Sequence, residues 1–216
     1  MEIKVVKNIL EANEAIASQN KRLFSERGIY VLNLMGSPGA GKTTLLERTI
    51  ANLKNRIKIA VIEGDVETSR DAERIAVHGV PALQINTGGA CHLDGNMLRK
   101  AIEEFDLDET RFLIVENVGN LICPAGFKLG EDDKAMIISV TEGDDKPAKY
   151  PLMFQVSSVL LLNKIDLLPY LDFNVERFRD DALKINPKLR IFRMSCKTGE
   201  GLADWTNWIE DRLNEG

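Results

Sequence analysis

Short apolar runs recur along the chain and predict the strands of a single sheet. Each run is four to seven residues long, the length of a strand that is buried on both faces. The runs cover residues 29–35, 57–62, 111–115, 136–140, 159–162 and 190–194. Between most of them apolar residues recur at helical spacing, as in residues 43–53. Because strands that alternate with helices form parallel sheets, the pattern predicts an α/β fold, with a mostly parallel central sheet and helices on both faces.

The beginning of the chain predicts a separate amphipathic helix. The apolar residues available for one face are Ile9, Leu10, Ile16, Leu23 and Phe24. Two interpretations of this helix remain open: it packs on the edge of the sheet, or it binds a partner. We expect one domain over residues 1–216, with residues 1–25 packed on it as this helix.

Charge and composition narrow the class of protein. The chain has 28 Lys and Arg against 33 Asp and Glu, a net charge of −5, and no long basic block, so we expect no nucleic-acid partner. No apolar run approaches the roughly 18 residues that a membrane span needs, and the N-terminus lacks the apolar core of a signal peptide. Three cysteines do not make a disulfide framework. We therefore expect a cytoplasmic protein without a membrane partner.

Residues 36–43 follow the first predicted strand and fit G-x-x-x-x-G-K-S/T, the phosphate-binding loop (P-loop) of nucleotide hydrolases. Glycines let the main chain wrap around a phosphate chain, and the helix that follows adds a partial positive charge. We expect Lys42 to reach the β- and γ-phosphates and to act in catalysis, and Thr43 to hold Mg²⁺. The predicted phosphate contacts are Gly36, Ser37, Pro38, Gly39, Ala40, Gly41, Lys42, Thr43 and Thr44. The sequence therefore predicts a P-loop nucleotide hydrolase.

A second motif selects the base. Asn163, Lys164 and Asp166 follow a predicted strand in the order N-K-x-D, which resembles the base-specificity motif of GTPases. A carboxylate at Asp166 can accept hydrogen bonds from two guanine N–H groups, and adenine offers no such pair. The stem of Lys164 can lie over the base, and Asn163 can tie neighbouring loops together. These residues predict GTP as the nucleotide.

A third loop is also expected to contact the base. Ser195, Cys196 and Lys197 follow the last predicted strand and resemble the Ser-Ala-Lys loop of GTPases, with Cys in place of Ala. The alternative, an ordinary turn between a strand and a helix, remains open for this loop.

Acidic residues at the ends of the strands are candidates for magnesium binding and catalysis. Because ligands bind at the carboxyl ends of parallel strands, Asp65 and Glu116 are expected to face the phosphates and to hold Mg²⁺ with Thr43. Gly119 stands where GTPases place the glycine that contacts the γ-phosphate. Asp71 could orient or deprotonate the attacking water, with Lys42 and Asp65 completing the catalytic set. Each acid could instead be solvated at the end of its strand, and Asp71 could lie in the first turn of a helix that begins near residue 69.

The hydrolysis rate is predicted to be low. No arginine is obviously placed in the site as a finger, and such an arginine can be worth about 10³–10⁵ in rate.

Two thiols and an imidazole are candidate ligands for a soft metal. Cys91 and His92 lie in a glycine-containing loop, and Cys123 lies just after residues 116–119. Thiolates and imidazole suit Zn²⁺ and Ni²⁺, but adjacent Cys-His is not the spacing of a zinc finger, so the three could also be isolated loop residues. Three ligands leave a tetrahedral site one short, which a symmetric dimer could complete across its two-fold axis.

Taken together, these segments resemble one GTPase family. In chain order they are GSPGAGKT (36–43), EGD (63–65), NTGGACHLD (86–94), ENVGNLICP (116–124), TEGDDKP (141–147) and NKID (163–166). They resemble the hydrogenase nickel-incorporation GTPases of the HypB family, relatives of the urease accessory GTPase within the SIMIBI class of P-loop GTPases. The resemblance extends over nearly the whole chain from about residue 10.

The resemblance implies a specific activity and set of partners. It implies a GTP-hydrolysing metallochaperone that forms a homodimer favoured by GTP and metal. It also implies that the protein works with other hydrogenase maturation proteins to insert Ni²⁺ into the large subunit of a nickel–iron hydrogenase. The family's metal ligands correspond to Cys91, His92 and Cys123, for Ni²⁺ or Zn²⁺. An alternative function is a nucleotide-gated assembly factor with a structural Zn²⁺ at its dimer interface, and another is a signal-recognition-type GTPase without a metal.

Two features depart from the family pattern. Many members begin with a cysteine-rich or histidine-rich segment, and this sequence begins MEIKV, so the resemblance does not support a tight N-terminal nickel site or nickel storage. Lys128 stands where the family usually shows Asp.

Overall fold

The computed structural model describes residues 4–65 and 70–215, with side chains described in residues 10–65 and 71–215. Within these residues the chain forms seven strands, nine α-helices and two short 3-10 helices, Val140–Glu142 and Ile165–Tyr170. The strands are β1 (Tyr30–Gly36), β2 (Ile59–Asp65), β3 (Ala82–Asn86), β4 (Phe112–Glu116), β5 (Asp133–Ser139), β6 (Val159–Asn163) and β7 (Arg190–Arg193). The helices are α1 (Lys4–Glu26), α2 (Lys42–Leu53), α3 (Arg70–Ala76), α4 (Gly95–Glu103), α5 (Cys123–Gly126), α6 (Lys146–Lys149), α7 (Pro151–Val156), α8 (Val175–Ile185) and α9 (Leu202–Glu215).

The strands form one sheet in the order β3-β2-β4-β1-β5-β6-β7, and each neighbouring pair is parallel. Their carboxyl ends therefore lie along one edge of the sheet. The register places Glu116 of β4 beside Leu34 of β1 on one side and beside Glu63 of β2 on the other. The prediction of an α/β fold with a parallel sheet is confirmed.

Alternate residues of each strand enter opposite layers of the core. In β4, Ile114 packs in the layer that contains α2 and α9, and Val115 packs in the layer that contains α1 and α4. A third cluster lies under α7 and α8, with Phe154 and Phe178 at its centre. Burial on both faces explains why the central strands consist of continuous apolar runs.

The hydrophobic pattern misses β3 and ends β2 too early. β3 is a half-buried strand at the edge of the sheet, where Leu83 and Ile85 alternate with polar residues instead of forming a continuous run. The apolar run of β2 stops at residue 62, and the strand continues through Glu63 to Asp65, in agreement with the prediction that Asp65 ends this strand. Polar residues at this end of the sheet form the candidate site, so the apolar signal stops before the strand does.

Helix α1 packs beside α4 through buried polar groups. The Asn13 carboxamide accepts a hydrogen bond from the Gly95 N–H at 2.7 Å and donates to the Lys128 carbonyl at 2.9 Å. The Asn20 Nδ2 donates to the carbonyls of Gly95 at 2.8 Å and Leu129 at 3.0 Å. Residues 1–3, the start of the predicted N-terminal helix, lie outside the described residues. No helix among the described residues is both long enough and apolar enough to cross a membrane.

Candidate functional site

Residues 36–43 form a tight loop between the end of β1 and the start of α2. Gly39 and Gly41 have φ angles of 76° and 105°, which L-residues with a side chain rarely adopt. A side chain on Gly41 would also come within 2.5 Å of Asn163 Nδ2. The sequence therefore needs glycine at these positions for the loop to close around a phosphate.

Lys42 and Thr43 lie at the base of this loop and are both buried. Lys42 is 8% exposed, and its Nζ donates to the carbonyls of Ser37 at 3.3 Å and Gly36 at 3.4 Å. The Thr43 hydroxyl donates to Glu116 Oε1 at 3.3 Å, and Lys42 Nζ lies 3.8 Å from the same oxygen. A cation and a hydroxyl thus meet a buried carboxyl group below the loop.

Two acidic side chains lie together at the ends of β2 and β4. Glu63 is 2% exposed and Glu116 is 5% exposed, and the parallel register places them side by side. Burial, followed by the neighbouring Glu116, raises the pKa of Glu63 to about 10. Burial raises the pKa of Glu116 to about 7, and Lys42 opposes this shift. Oε1 of Glu63 and Oε2 of Glu116 are buried without a hydrogen-bond partner in the described structure, which favours a cation between the strand ends.

A cleft of about 540 Å³ opens above these groups and is the candidate phosphate site. Besides the loop, it is lined by Asp65, Asp71, Gly119 and Lys164. A side chain on Gly119 would come within 2.9 Å of Pro38 Cγ, so the end of β4 lies directly against the P-loop. The cleft therefore brings together predicted residues from four parts of the sequence.

Two charged residues of this cleft escape the sequence prediction. Glu63 is one, and the signal that could have found it is the parallel pairing of β2 with β4, which sets it beside Glu116. Arg74 is the other: its guanidinium lines the cleft, lies 2.8 Å from Glu47 and donates to Asp71 at 3.1 Å. The sequence shows no obvious arginine finger, and Arg74 reaches the cleft because α3 turns it back over the start of α2, where Glu47 lies.

The two base motifs are tied to the P-loop and to each other. Asn163 Nδ2 donates to the Ala40 carbonyl at 2.9 Å, and its Oδ1 accepts from the Cys196 N–H at 3.1 Å. Lys164 Nζ donates to the Gly39 carbonyl at 2.7 Å. The Ser195 hydroxyl donates to Asp166 Oδ1 at 2.6 Å, which orients that carboxylate.

Cys196 and Lys197 differ in their surroundings. Burial raises the pKa of Cys196 to about 11, so its thiol stays protonated and acts as a small packing group. Lys197 lies exposed at the surface of the same loop.

The structure brings together the three candidate metal ligands. One donor atom from each of Cys91, His92 and Cys123 lies within 4.8 Å of the others, and Cys91 Sγ is 3.7 Å from His92 Nδ1. The His92 ring packs on Phe127, with 3.9 Å between ring centroids. Burial lowers the pKa of His92, which favours the neutral imidazole that binds metals. A hydrogen bond with the nearby Cys91 thiol raises the pKa of Cys123.

Lys128, the residue that departs from the family pattern, lies four residues beyond Pro124 of α5 and is not part of this cluster. Its Nζ lies 3.3 Å from Glu14 in an exposed ion pair with α1. Its backbone carbonyl accepts the hydrogen bond from Asn13. The position therefore contributes to the docking of α1.

The chain is similar to known nucleotide-binding proteins over most of its length. The family model described as CobW/HypB/UreG, nucleotide-binding domain, matches residues 30–193. The chain is 50% identical over 208 residues to the hydrogenase maturation factor HypB of Rhizobium leguminosarum bv. viciae, covering 96% of this chain and 70% of that relative.

Two solved structures resemble the whole fold. The crystal structure of HypB from Helicobacter pylori in complex with nickel matches with a TM-score of 0.89 and 41% identity, covering 94% of this chain and 96% of that chain. The hydrogenase maturation factor HypB from Archaeoglobus fulgidus matches with a TM-score of 0.88 and 39% identity, covering 94% of this chain and 99% of that chain.

Proposed function

This chain belongs to the CobW/HypB/UreG family, within it to the hydrogenase maturation factors HypB, and we propose that it uses GTP to control the delivery of nickel to a nickel–iron hydrogenase. As a member of this family the protein is a GTPase, which converts GTP and water to GDP and phosphate. The observation that carries the proposal is the meeting of Cys91, His92 and Cys123 beside the end of β4, the strand that reaches the P-loop. Three soft donors at this place argue against a GTPase without a metal role.

We assign nickel as the cargo. The Helicobacter pylori relative was solved in complex with nickel, and two thiolates with an imidazole suit Ni²⁺ as well as Zn²⁺. Cys91 is exposed and Cys123 is half-buried, so an ion can enter and leave without unfolding the loops. A site that must release its ion needs this access, whereas a structural zinc site is closed.

GTP binding is assigned to the residues of the cleft and the base loops. Lys42 meets the β- and γ-phosphates, Gly119 contacts the γ-phosphate, and Asp166 accepts from guanine. The phosphate contacts are Gly36, Ser37, Pro38, Gly39, Ala40, Gly41, Lys42, Thr43 and Thr44, and the base loops are Asn163, Lys164, Asp166, Ser195, Cys196 and Lys197.

Magnesium would be held by Thr43, Asp65 and Glu116. The unpartnered Oε2 of Glu116 is an acceptor that suits this ion. Bound there, Mg²⁺ supplies positive charge that offsets the charge of the phosphates.

Asp71 is our candidate for orienting the attacking water, with Lys42 and Asp65 in the same cleft. In this structure Arg74 is held by Glu47 and Asp71. A low basal rate of hydrolysis stays a prediction. It is supported by the ion pairs that hold Arg74 on acids of the protein, so that this arginine is not free to act as a finger on the phosphates.

We further propose a homodimer that GTP and metal favour. The three donors leave a tetrahedral site one ligand short, and a second copy related by a two-fold axis can supply the fourth. The partners beyond this dimer are other hydrogenase maturation proteins and the hydrogenase large subunit. We place these events in the cytoplasm, where thiols stay reduced.

Light scattering tests this proposal. The mass of the protein in solution is measured with nickel(II), with zinc(II), with a non-hydrolysable GTP analogue in Mg²⁺, and with each metal plus the analogue. We expect the largest dimer fraction with nickel and the analogue together, and a lower fraction in the Cys123→Ala variant. A monomer under all conditions contradicts the dimer. Retention of zinc but not nickel favours a structural zinc over cargo delivery.

A further inference from the structure

The segment that follows β4 is attached to the P-loop. Residues 116–120 read ENVGN, and alternation along the strand turns Glu116 toward the phosphate cleft and Asn117 toward the opposite layer. The Asn120 N–H donates to the carbonyl of Gly36 at 3.0 Å, and Gly119 lies against Pro38. The segment is therefore in direct contact with the loop that is proposed to bind the phosphates.

The two asparagines of this segment hold the Cys91–His92 loop at points that flank His92. Asn120 Nδ2 donates to the Cys91 carbonyl at 3.4 Å. Asn117 Oδ1 accepts from the Leu93 N–H at 3.0 Å, and Asn117 is 1% exposed. The backbone of this metal loop is thus anchored on both sides of its imidazole by residues 117 and 120.

Asn120 also contacts the loop that carries Cys123. Its Oδ1 accepts from the N–H of Ile122, the residue before Cys123, at 2.8 Å. One side chain therefore bridges the backbones of the two cysteine-bearing loops, which lie 29 residues apart at this contact.

The far side of the cluster is held by a different part of the protein. Lys134 of β5 donates from Nζ to the carbonyls of Phe127 at 2.8 Å and Ala125 at 3.2 Å, which fixes the end of α5. Asn20 of α1 donates to the carbonyl of Gly95, which follows the Cys91–His92 loop, and to the carbonyl of Leu129, which follows α5. These anchors belong to β5 and α1, whereas Asn117 and Asn120 belong to the segment that meets the P-loop.

We propose that Asn117 and Asn120 are positioning residues that couple the nucleotide in the P-loop to the geometry of the Cys91–His92–Cys123 cluster. This inference rests on the proposed function, in which the cleft binds GTP and the cluster binds nickel. When residues 116–120 move, their hydrogen bonds to the Leu93 N–H and the Cys91 carbonyl move the loop that carries the metal ligands Cys91 and His92. Lys134 meanwhile restrains the end of α5. The spacing of the donors then differs between nucleotide states, and with it the affinity for the metal.

The test measures the ratio of two nickel affinities. Nickel(II) is titrated by competition with a chromophoric chelator in the presence of Mg²⁺ with either GDP or a non-hydrolysable GTP analogue. In the wild-type protein we expect the two affinities to differ by about 5- to 150-fold, the usual size of coupling between two sites. In Asn117→Ala and Asn120→Ala the ratio should fall at least about threefold, and in the double variant it should approach one.

Asn20→Ala is the matched control. This variant removes hydrogen bonds that a buried asparagine makes to the segments that follow Cys91–His92 and Cys123. Asn20, however, lies on α1 and not on the segment that contacts the P-loop. We expect this variant to change nickel affinity equally with GDP and with the analogue, which leaves the ratio at the wild-type value. A purely structural role of Asn117 and Asn120 predicts the same behaviour for them.

The outcomes separate this inference from the proposed function. A wild-type ratio of one contradicts the coupling in the proposed function and removes the basis of this inference. A wild-type ratio well above one that persists in both alanine variants overturns the inference alone. Asn120 is less buried than Asn117, so its variant remains informative if Asn117→Ala does not fold.

A second measurement needs no variant. Amide hydrogen exchange of Leu93, followed by NMR in the wild-type protein, should differ between GDP and the GTP analogue because Asn117 is its acceptor. Equal protection of this amide in the two states overturns the role of Asn117.

Discussion

The phosphate cleft and the metal cluster lie on two sides of the same short segment after β4, yet they are built in different ways. The cleft consists of buried groups: Lys42 and Thr43 open α2 directly after the P-loop, and the register of the parallel strands places Glu116 beside them at the end of β4. The cluster consists of an exposed Cys91 and a half-buried Cys123 that are brought together by loops. A rigid sheet edge suits selective binding of a nucleotide, whereas loops suit an ion that must be taken up and released. The four changes below disturb one region and leave the other intact.

The largest effect is expected for Lys42→Ala, which breaks the cleft. Loss of a buried, hydrogen-bonded charge that faces the phosphates costs about 2–5 kcal/mol, so GTP affinity should fall by roughly 30- to 4,000-fold. Titration of a fluorescent GTP analogue measures this change. Nickel affinity without nucleotide should stay within about twofold, since Lys42 contacts none of the three candidate metal ligands. Lys54→Ala, a change of an exposed lysine at the end of α2, serves as the control. Equal GTP affinity of the Lys42→Ala and Lys54→Ala variants would refute our assignment of the cleft as the phosphate site.

The next effect concerns hydrolysis. Asp71→Ala should slow the single-turnover rate of GTP cleavage by about 100-fold if Asp71 activates the water, while GTP affinity changes little. Arg74 keeps its contact with Glu47 in this variant, so the other wall of the cleft remains in place. Glu73→Ala removes an acid from the same helix and is the control. An unchanged rate in Asp71→Ala removes Asp71 from the mechanism and leaves Asp65 and Glu116 as candidates.

The third change breaks the cluster and leaves the cleft intact. Cys123→Ala should weaken nickel binding by about 10- to 100-fold, because loss of a ligand costs at least as much as loss of a group behind one. GTP affinity should not change. Cys196→Ala is the matched control, since that thiol is buried in the base loop and stays protonated. Nickel bound equally by the two variants would mean that Cys123 is an ordinary loop residue.

The smallest effect sharpens the comparison at the base. Asp166→Asn should reduce GTP affinity by about 10-fold, the cost of one unmatched buried hydrogen bond, and should favour xanthosine triphosphate, whose ring has the reversed donor pattern. Competition between the two nucleotides gives the ratio directly, with the exposed Asp172→Asn as control. Wild-type protein that binds ATP and GTP equally would contradict the role of Asp166.

The same difference decides how much of each region could be predicted from the sequence. Gly36 to Thr43 and the N-K-x-D motif carry their geometry within a few residues, and an apolar strand before each places them at the edge of the sheet. The resemblance to HypB proteins, which the family model and the relative at 50% identity confirm, rests on the order of these motifs together with the family-specific segments 86–94 and 116–124. Glu63 was missed because its role depends on which strand pairs with β2, and Arg74 because its position depends on how α3 packs over α2.

The cluster could not be predicted from spacing alone. Cys91 and Cys123 meet because Asn120 bridges their loops and because His92 packs on Phe127, contacts that join distant parts of the chain. Adjacent Cys and His residues do not have the spacing of a zinc finger. The sequence alone therefore left two alternatives open, a metal site or isolated loop residues, and the family resemblance indicated the metal site. The missed edge strand β3 has a related cause, because its half-buried alternation depends on its place in the finished sheet.

The central claim is that the cleft and the cluster are thermodynamically linked. The most direct measurement determines two ratios in the wild-type protein: nickel affinity with the GTP analogue against GDP, and GTP-analogue against GDP affinity with and without nickel. Because linkage between binding events is reciprocal, we predict that nickel changes the nucleotide preference by the same factor by which the nucleotide changes nickel affinity. A factor of one in both experiments would contradict the account and leave a GTPase with an unconnected metal cluster.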